Sequence, residues 1–505
     1  MRRFIAALQS PVVEGLLLVV LLCRLPIQQL RSLTVITDPD IWWHIRVGQW
    51  IIEHDAVPRQ GLYSLVGSAR PWCAYSWGFE TVIAAMHLWL GLKGIPLFVM
   101  AFHVALFLIL FTLLHRLSRS FWRAWFLTAL VIWGMDPNWV GAGRPVMFSV
   151  LFFTVELALI FKAQETGKPK YIYWLPLLFL LWANFHIQFL YGLVLPALLA
   201  TVATVESWTA RKWPSLGPSA SDTEPLRPAI LWGVFATSAA ATLLNPYGIN
   251  LYAVIYNYAH NTFAYSIVGE FQALSFRQSS NYAELLLALA AFFALGRRKT
   301  DTFKLAVLLV AALVSFRMLR DSWFLCITAA AVLAWVLRKP EKAPETAGEP
   351  APGLRALHLS GVLAGVASVI ALSAMDAGLS NRVLQQMVNK SFPMEAVLYI
   401  REHRPPGPIY NNFNWGGFLI GALPEYPVSI DGRTDLYGDE LLRQAIDAQL
   451  GLKWADDPAL TRANLVLLPS SMPLCRVLER SPAFQLVHSD PLAMVFVRRP
   501  PGSGF

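Results

Sequence analysis

Thr37-Asp38-Pro39-Asp40-Ile41-Trp42-Trp43-His44-Ile45-Arg46-Val47-Gly48-Gln49-Trp50 follows directly on the first long apolar run of the chain. Its opening reads as a helix start. Asp38 supplies the N-cap acceptor, and Pro39, with φ already fixed and no N–H to satisfy, takes the first helical position. The pattern predicts a helix running to about Glu53. At about 100° per residue, Arg46, Gln49 and Glu53 share one polar face. Asp40 and His44 fall on the opposite side with Val47 and Ile51. An acid and an imidazole on the apolar side of an amphipathic helix are costly unless they find partners. They are the first candidates for a site.

The rest of the chain sets that helix in a membrane protein. It has 505 residues, 56% hydrophobic and only 14% charged, with a mean hydropathy of +0.48. A soluble domain carries about 25% charged residues. About eleven apolar segments approach the length that crosses a bilayer: 11–30, 95–114, 121–135, 146–161, 171–183, 189–204, 229–244, 282–295, 303–316, 323–337 and 357–375. Segment 75–90, which holds Trp77, Glu80, His87 and Trp89, reads as an interfacial helix. With that assignment, the basic groups around Arg116 and Arg119, Lys168 and Lys170, Arg211 and Lys212, Arg297-Arg298-Lys299, and Arg338-Lys339 all fall on the cytoplasmic side. The net charge of +9 is then that of basic anchors and does not argue for nucleic acid. The first apolar run passes into Arg24-Leu25-Pro26 without a small-residue cleavage site and reads as a retained anchor. Cys23, Cys73, Cys326 and Cys475 are scattered and form no metal pattern; a Cys73–Cys475 bridge stays open.

The other face receives the unusual polar groups. These are the outer loop 31–94, Asp136-Pro137-Asn138, Arg144, Asn184-Phe185-His186, Asn245-Pro246-Tyr247-Gly248, Glu270, Arg317, Arg320 and Asp321. The expected organisation is a transmembrane domain over 1–380, with a flexible cytoplasmic linker at 339–353, and a soluble extracytoplasmic α/β domain over 381–505. Within the latter, helices are expected at 394–403 and 439–449, a turn into a short helix at 415–420, and strands at 408–410, 428–430, 464–468 and 494–497. Loops after strand ends usually carry function in such domains. Here they hold Trp415 and Asp431-Gly432-Arg433-Thr434-Asp435.

Each candidate has a functional and a structural reading. Asp38, Asp40 and His44 suit a general base or a divalent metal such as Mg or Mn, and equally an N-cap and an interfacial helix anchored by tryptophans. Arg144, Arg320 and Arg317 suit a lipid-linked phosphate; alternatively they snorkel, or Arg317 pairs with Asp321 one helical turn away. His186 is either a substrate contact or a satisfied histidine at a helix end. Glu270 either approaches the carboxylate site or is a solvated loop acid. Trp415, Asp431 and Arg433 suit sugar binding, and would also serve as turn residues and an ion pair. The Asn245–Gly248 turn is given no chemistry.

Taken together, an acidic motif just after the first span, an outer loop with interfacial helices, many later spans and a C-terminal domain resemble the GT-C superfamily of integral-membrane glycosyltransferases. Asp38 and Asp40 match the position of that family's acidic motif. The chain is also similar to a group of bacterial membrane proteins carrying Asp-x-Asp-x-Trp-Trp-His early and Trp-Gly-Gly with Asp-Gly-Arg late. It departs from the oligosaccharyltransferase pattern in having no clear Trp-Trp-Asp acceptor motif. The resemblance implies transfer of a sugar from a polyprenyl-phosphate-linked donor to a glycan, lipid or protein acceptor, on the outer face of a bacterial inner membrane, in some members with a divalent metal. The N-terminus would be cytoplasmic and the C-terminal domain periplasmic. A rival reading is a non-enzymatic envelope component, either a transporter of lipid-linked or anionic solutes or an assembly scaffold, for which polar groups at mid-membrane depth are the expected mark.

Overall fold

A computed structural model describes residues 10–135, 143–213, 225–297, 301–339 and 352–500. The Asp136-Pro137-Asn138 turn, Arg298 and Lys299, and nearly all of the expected 339–353 linker lie outside the described residues. The chain divides into two compact units. One comprises residues 1–32, 97–245 and 270–378; the other comprises 33–96, 246–269 and 379–505.

The first unit is helical. Every apolar segment anticipated there forms a helix, including Pro11–Ser32, Phe121–Gly134, Val146–Thr166, Leu175–Phe185, Phe189–Lys212 and Pro228–Ala241, followed by Ser279–Gly296, Thr302–Arg317, Ser322–Val336 and Pro352–Asp376. Among the described residues, seven helical stretches are long and apolar enough to cross a membrane, and two shorter apolar helices accompany them. Ser322–Val336 runs through the middle of this unit and is buried along almost its whole length. Its small side chains, Ala329-Ala330-Ala331 among them, let neighbouring helices approach closely. Opposite, a Cβ at Gly134 would come within 2.7 Å of Cys326 Sγ.

The apolar run Trp77–Ser118 is broken at Gly91, whose φ of 65° suits a residue without a Cβ. The break yields Trp77–Leu90, a helix of 14 residues, and Gly94–Ser118, of 25. The first is shorter than the roughly 17 residues a span needs. It packs within the second unit on the Pro39–His54 helix, where a Cβ at Gly48 would collide with the backbone of Glu80.

The second unit also holds a four-stranded sheet: β1 (Ile409–Asn411), β2 (Leu465–Pro469), β3 (Phe484–Ser489) and β4 (Ala493–Arg498), in the order β1-β2-β4-β3. β1 pairs parallel with β2, with Ile409 opposite Leu465. β2 and β3 both run antiparallel to β4. Tyr410, Val466, Leu468, Leu474, Phe484 and Phe496 form one core beneath it. Two sequence expectations change. Val428–Ile430 is no strand but makes single bridges through Val428 to Ser64 and Ile409, and the Asn411 side chain pins it, accepting from Ser429 N at 2.8 Å and donating to Ile430 O at 2.8 Å. β3 was not anticipated, because only Phe484 of its six residues is buried and it carries little apolar signal. All four cysteines are free thiols, so no Cys73–Cys475 bridge forms.

Candidate functional site

The opening helix of the second unit forms as its sequence requires. Asp38 is the N-cap, accepting from Asp40 N at 2.9 Å, and Pro39 begins a helix that ends at His54. Arg46 Nη1 donates to Gln49 at 3.3 Å and lies 3.8 Å from Glu53, which makes up the polar face. On the other face, His44, Val47 and Ile51 are buried, while Asp40 is half-buried.

Partners for the two candidate groups come from far along the chain. His44 Nδ1 lies 3.3 Å from Oε1 of Glu80, which is itself buried. The imidazole is fixed between the Trp43 ring, 3.5 Å between centroids, and the edge-on Phe79 ring at 5.2 Å. Asp40 Oδ1 accepts from Trp43 Nε1 at 3.2 Å. The same oxygen fills the space where Gly432 would carry a Cβ. Gly432 therefore has a physical reason to be glycine: the Asp40 carboxylate occupies the volume of its missing side chain. Asp-x-Asp-x-Trp-Trp-His and Asp-Gly-Arg, nearly 400 residues apart in sequence, meet at that point.

Asp431 and Arg433 form a fully buried fork. Arg433 Nε donates to Oδ1 at 2.8 Å and Nη2 to Oδ2 at 2.7 Å; Nη2 also reaches Leu62 O at 2.9 Å. Tyr437 OH donates to Asp431 Oδ2 at 2.7 Å. Burial pushes the Asp431 carboxyl up, but the Arg433 charge and these hydrogen bonds outweigh it and hold it below the usual range. The guanidinium lies 5.0 Å from the Trp72 ring and 6.0 Å from the Trp43 ring. Asp435, on the next helical turn, accepts from Trp72 Nε1 at 3.0 Å. Burial drives its carboxyl up to about 6, against the Trp72 N–H and the Arg433 charge. Trp415 is buried in the helix Phe413–Ala422, where Gly417 lets Pro39 approach and Phe418 meets Trp42 edge-on at 5.7 Å. Tyr247, from the turn given no chemistry, pins the loop by donating to Pro58 O at 2.8 Å and accepting from Ala74 N at 3.0 Å.

Asp38, Asp40 and His44 do not turn to a common point: one caps a helix, one takes an indole N–H and one faces Glu80. Among the described residues, no three His, Cys, Asp or Glu side chains are grouped to hold a metal ion. The metal triad expected from sequence is not assembled among them.

In the first unit, Arg144 and Arg320 converge on Glu270. Arg144 Nη1 lies 2.9 Å from each carboxylate oxygen and Arg320 Nη1 lies 3.5 Å from Oε1. Glu270 is thus an arginine partner, not a solvated loop acid. Arg317 is exposed. The Asp321 carboxylate is taken by Gln188 and Tyr191, both at 2.7 Å, so the expected Arg317–Asp321 pair does not form. His186 Nδ1 lies 2.8 Å from Ser149 Oγ, which also accepts from Trp182 Nε1 at 2.7 Å. Sequence reading missed Glu80, Trp72 and Tyr437. An acid in the apolar helix Trp77–Leu90 was the one available signal. It missed Glu156 and Glu284 in the same way.

Solved structures share this fold at a TM-score just above 0.5. The oligosaccharyltransferase of Archaeoglobus fulgidus, tethered to an acceptor peptide containing the NVT sequon, matches with a TM-score of 0.51 and 10% identity over 92% of this chain and 70% of that one. Its apo form gives the same score and identity over 90% and 69%. ArnT from Cupriavidus metallidurans, bound to undecaprenyl phosphate, gives 0.47 and 14% over 95% and 97%. No family model and no curated protein matches the sequence.

Proposed function

We propose that the protein is a glycosyltransferase that moves a sugar from a polyprenyl-phosphate-linked donor to an acceptor hydroxyl or amide on the outer face of a bacterial inner membrane. The observation that carries this reading is the half-buried Asp40 carboxylate, oriented by the Trp43 N–H and seated on Gly432. It is a fixed base on a rigid helix, which general-base catalysis requires. Asp40 takes the acceptor proton as the acceptor attacks the anomeric carbon. The bond from that carbon to the phosphate oxygen breaks, and its electron pair leaves with the phosphate. Within the first unit, Arg144 and Arg320 are the guanidinium pair suited to binding a lipid-linked phosphate. The Asp431–Arg433 fork holds the loop against Asp40. The test is release of polyprenyl phosphate by the full-length protein in proteoliposomes, supplied with polyprenyl-linked sugars and candidate acceptors. D40N is expected to abolish release at unchanged melting temperature; full activity in D40N refutes the assignment.

One observation favours a second reading, solute transport. Glu156 and Glu284 are wholly buried in helices Val146–Thr166 and Ser279–Gly296, and neither carboxyl has a hydrogen-bond partner among the described residues. Buried acids inside spans mark ion and proton pathways. Under this reading E156Q and E284Q abolish vesicle uptake while D40N leaves it intact.

A further inference from the structure

Trp43 and His44 are consecutive residues of the helix Pro39–His54. Consecutive helical side chains point about 100° apart and do not face each other. In this helix the two rings nevertheless lie one over the other, 3.5 Å between centroids and tilted by 32°. The groups that turn the imidazole across come from the helix Trp77–Leu90. Glu80 Oε1 lies 3.3 Å from His44 Nδ1, and the Phe79 ring meets the imidazole edge-on at 5.2 Å. Gly48, one turn beyond His44, permits that approach, because a Cβ there would collide with the Glu80 backbone. Trp43, His44, Phe79 and Glu80 are all buried.

We infer that His44 is a positioning residue for the reaction: clamped by Glu80, its ring fixes the Trp43 indole and, through it, the Asp40 carboxylate. That role rests on the reading of Asp40 as the base. Trp43 Nε1 donates to Asp40 Oδ1 at 3.2 Å, and the direction of that N–H is set by the two side-chain torsions of the tryptophan. The bond is therefore only as fixed as the indole. The imidazole sits nearer to the indole than the Trp72 ring at 6.3 Å or the Arg433 guanidinium at 6.0 Å. Gly417 admits the indole edge, since a Cβ there would lie 3.2 Å from Trp43 Cδ1, the carbon bonded to Nε1. Removing the imidazole opens space against one face of the indole. The ring then turns, the N–H leaves Oδ1 for part of the time, and the carboxylate leaves the geometry that proton removal needs. Rates at a reacting centre fall steeply with such misplacement.

The test uses the full-length protein in detergent, labelled with fluorotryptophan, with the Trp43 fluorine NMR line assigned by its loss in W43F. D40N is expected to move that line, because it changes the acceptor of the indole N–H. H44A is expected to broaden or split the line and to remove at least about half of its response to D40N, a coupling of the kind a double-mutant cycle isolates. E80A, which leaves the imidazole in place but unclamped, is expected to give the same change at smaller amplitude. H44F/E80M keeps a flat ring beside the indole and replaces the buried polar pair by apolar groups of similar size; it is expected to restore a single line and its response to D40N. A line that is unchanged in H44A and E80A and still moves with D40N overturns the inference. So does a line perturbed equally in H44A and H44F/E80M, since a ring at this position is then not what holds the indole. In the proteoliposome release assay, H44A is expected to lower kcat about tenfold at unchanged KM. A wild type that releases no polyprenyl phosphate refutes the Asp40 reading, while the fluorine lines judge the role of His44 separately.

Discussion

Replacing Asp435 with Asn changes the pH dependence of stability in a direction the structure dictates. Asp435 is half-buried, and its partial loss of solvent raises the carboxyl to about 6, against about 3.9 in an unfolded chain. Between those values the folded protein holds a proton that the unfolded chain has lost. Stability from this group is therefore fully present below about pH 4 and falls as pH rises through about 6. Roughly two pKa units at about 1.4 kcal/mol each make the loss about 3 kcal/mol at neutral pH. Asn keeps an oxygen to accept the Trp72 N–H, present at 3.0 Å, and carries no charge to bury. D435N is thus expected to match wild type near pH 4 and to exceed it by up to about 3 kcal/mol at pH 7.5. The assay is chemical unfolding of the full-length protein in detergent, with tryptophan fluorescence followed from pH 4 to pH 8. Curves that stay parallel across that range, or a D435N that loses stability as pH rises, refute the argument.

Other substitutions test the surrounding contacts. A Cβ at Gly432 would fall on the Asp40 carboxylate, so G432A must turn that side chain off Trp43; the expected cost is about 1.5–3 kcal/mol for a charged hydrogen bond, with transfer down about a hundredfold. Asp431→Asn leaves the Arg433 charge buried without its ionised partner and should destabilise by about 3–5 kcal/mol in the same unfolding assay. Because the Asp431 carboxyl is held low, the stability it contributes is present above about pH 4 and is lost as pH falls further; the acid limb of wild-type unfolding is expected to flatten in that variant. Glu80→Ala removes the partner of a buried His44 and should cost about 1–3 kcal/mol, whereas E80Q, which keeps a hydrogen-bonding oxygen, should cost less.

What the sequence revealed was local. Asp38 and Pro39 define a helix start within three residues, and the apolar runs define helices by length, so both were legible. The partners were not. His44 finds Glu80 through helix packing, and Asp40 finds Gly432 because a missing side chain leaves room for a carboxylate; neither relation has a sequence period. Arg317 and Asp321 are one helical turn apart in sequence, yet the helix stops at Arg317 and the turn Leu319–Asp321 directs Asp321 to Gln188 and Tyr191. Val428-Ser429-Ile430 has a strand's composition but is held by an asparagine side chain instead of a ladder. Glu270 showed only an acid in a loop, because the arginines that claim it lie 126 and 50 positions away.

The most direct measurement is a density map of the full-length protein with undecaprenyl phosphate added. The account predicts the lipid's phosphate within hydrogen-bonding reach of Arg144 and Arg320, with the Glu270 carboxylate turned away from both. A well-resolved lipid phosphate bound elsewhere, with the Arg144–Glu270–Arg320 cluster intact, would contradict it.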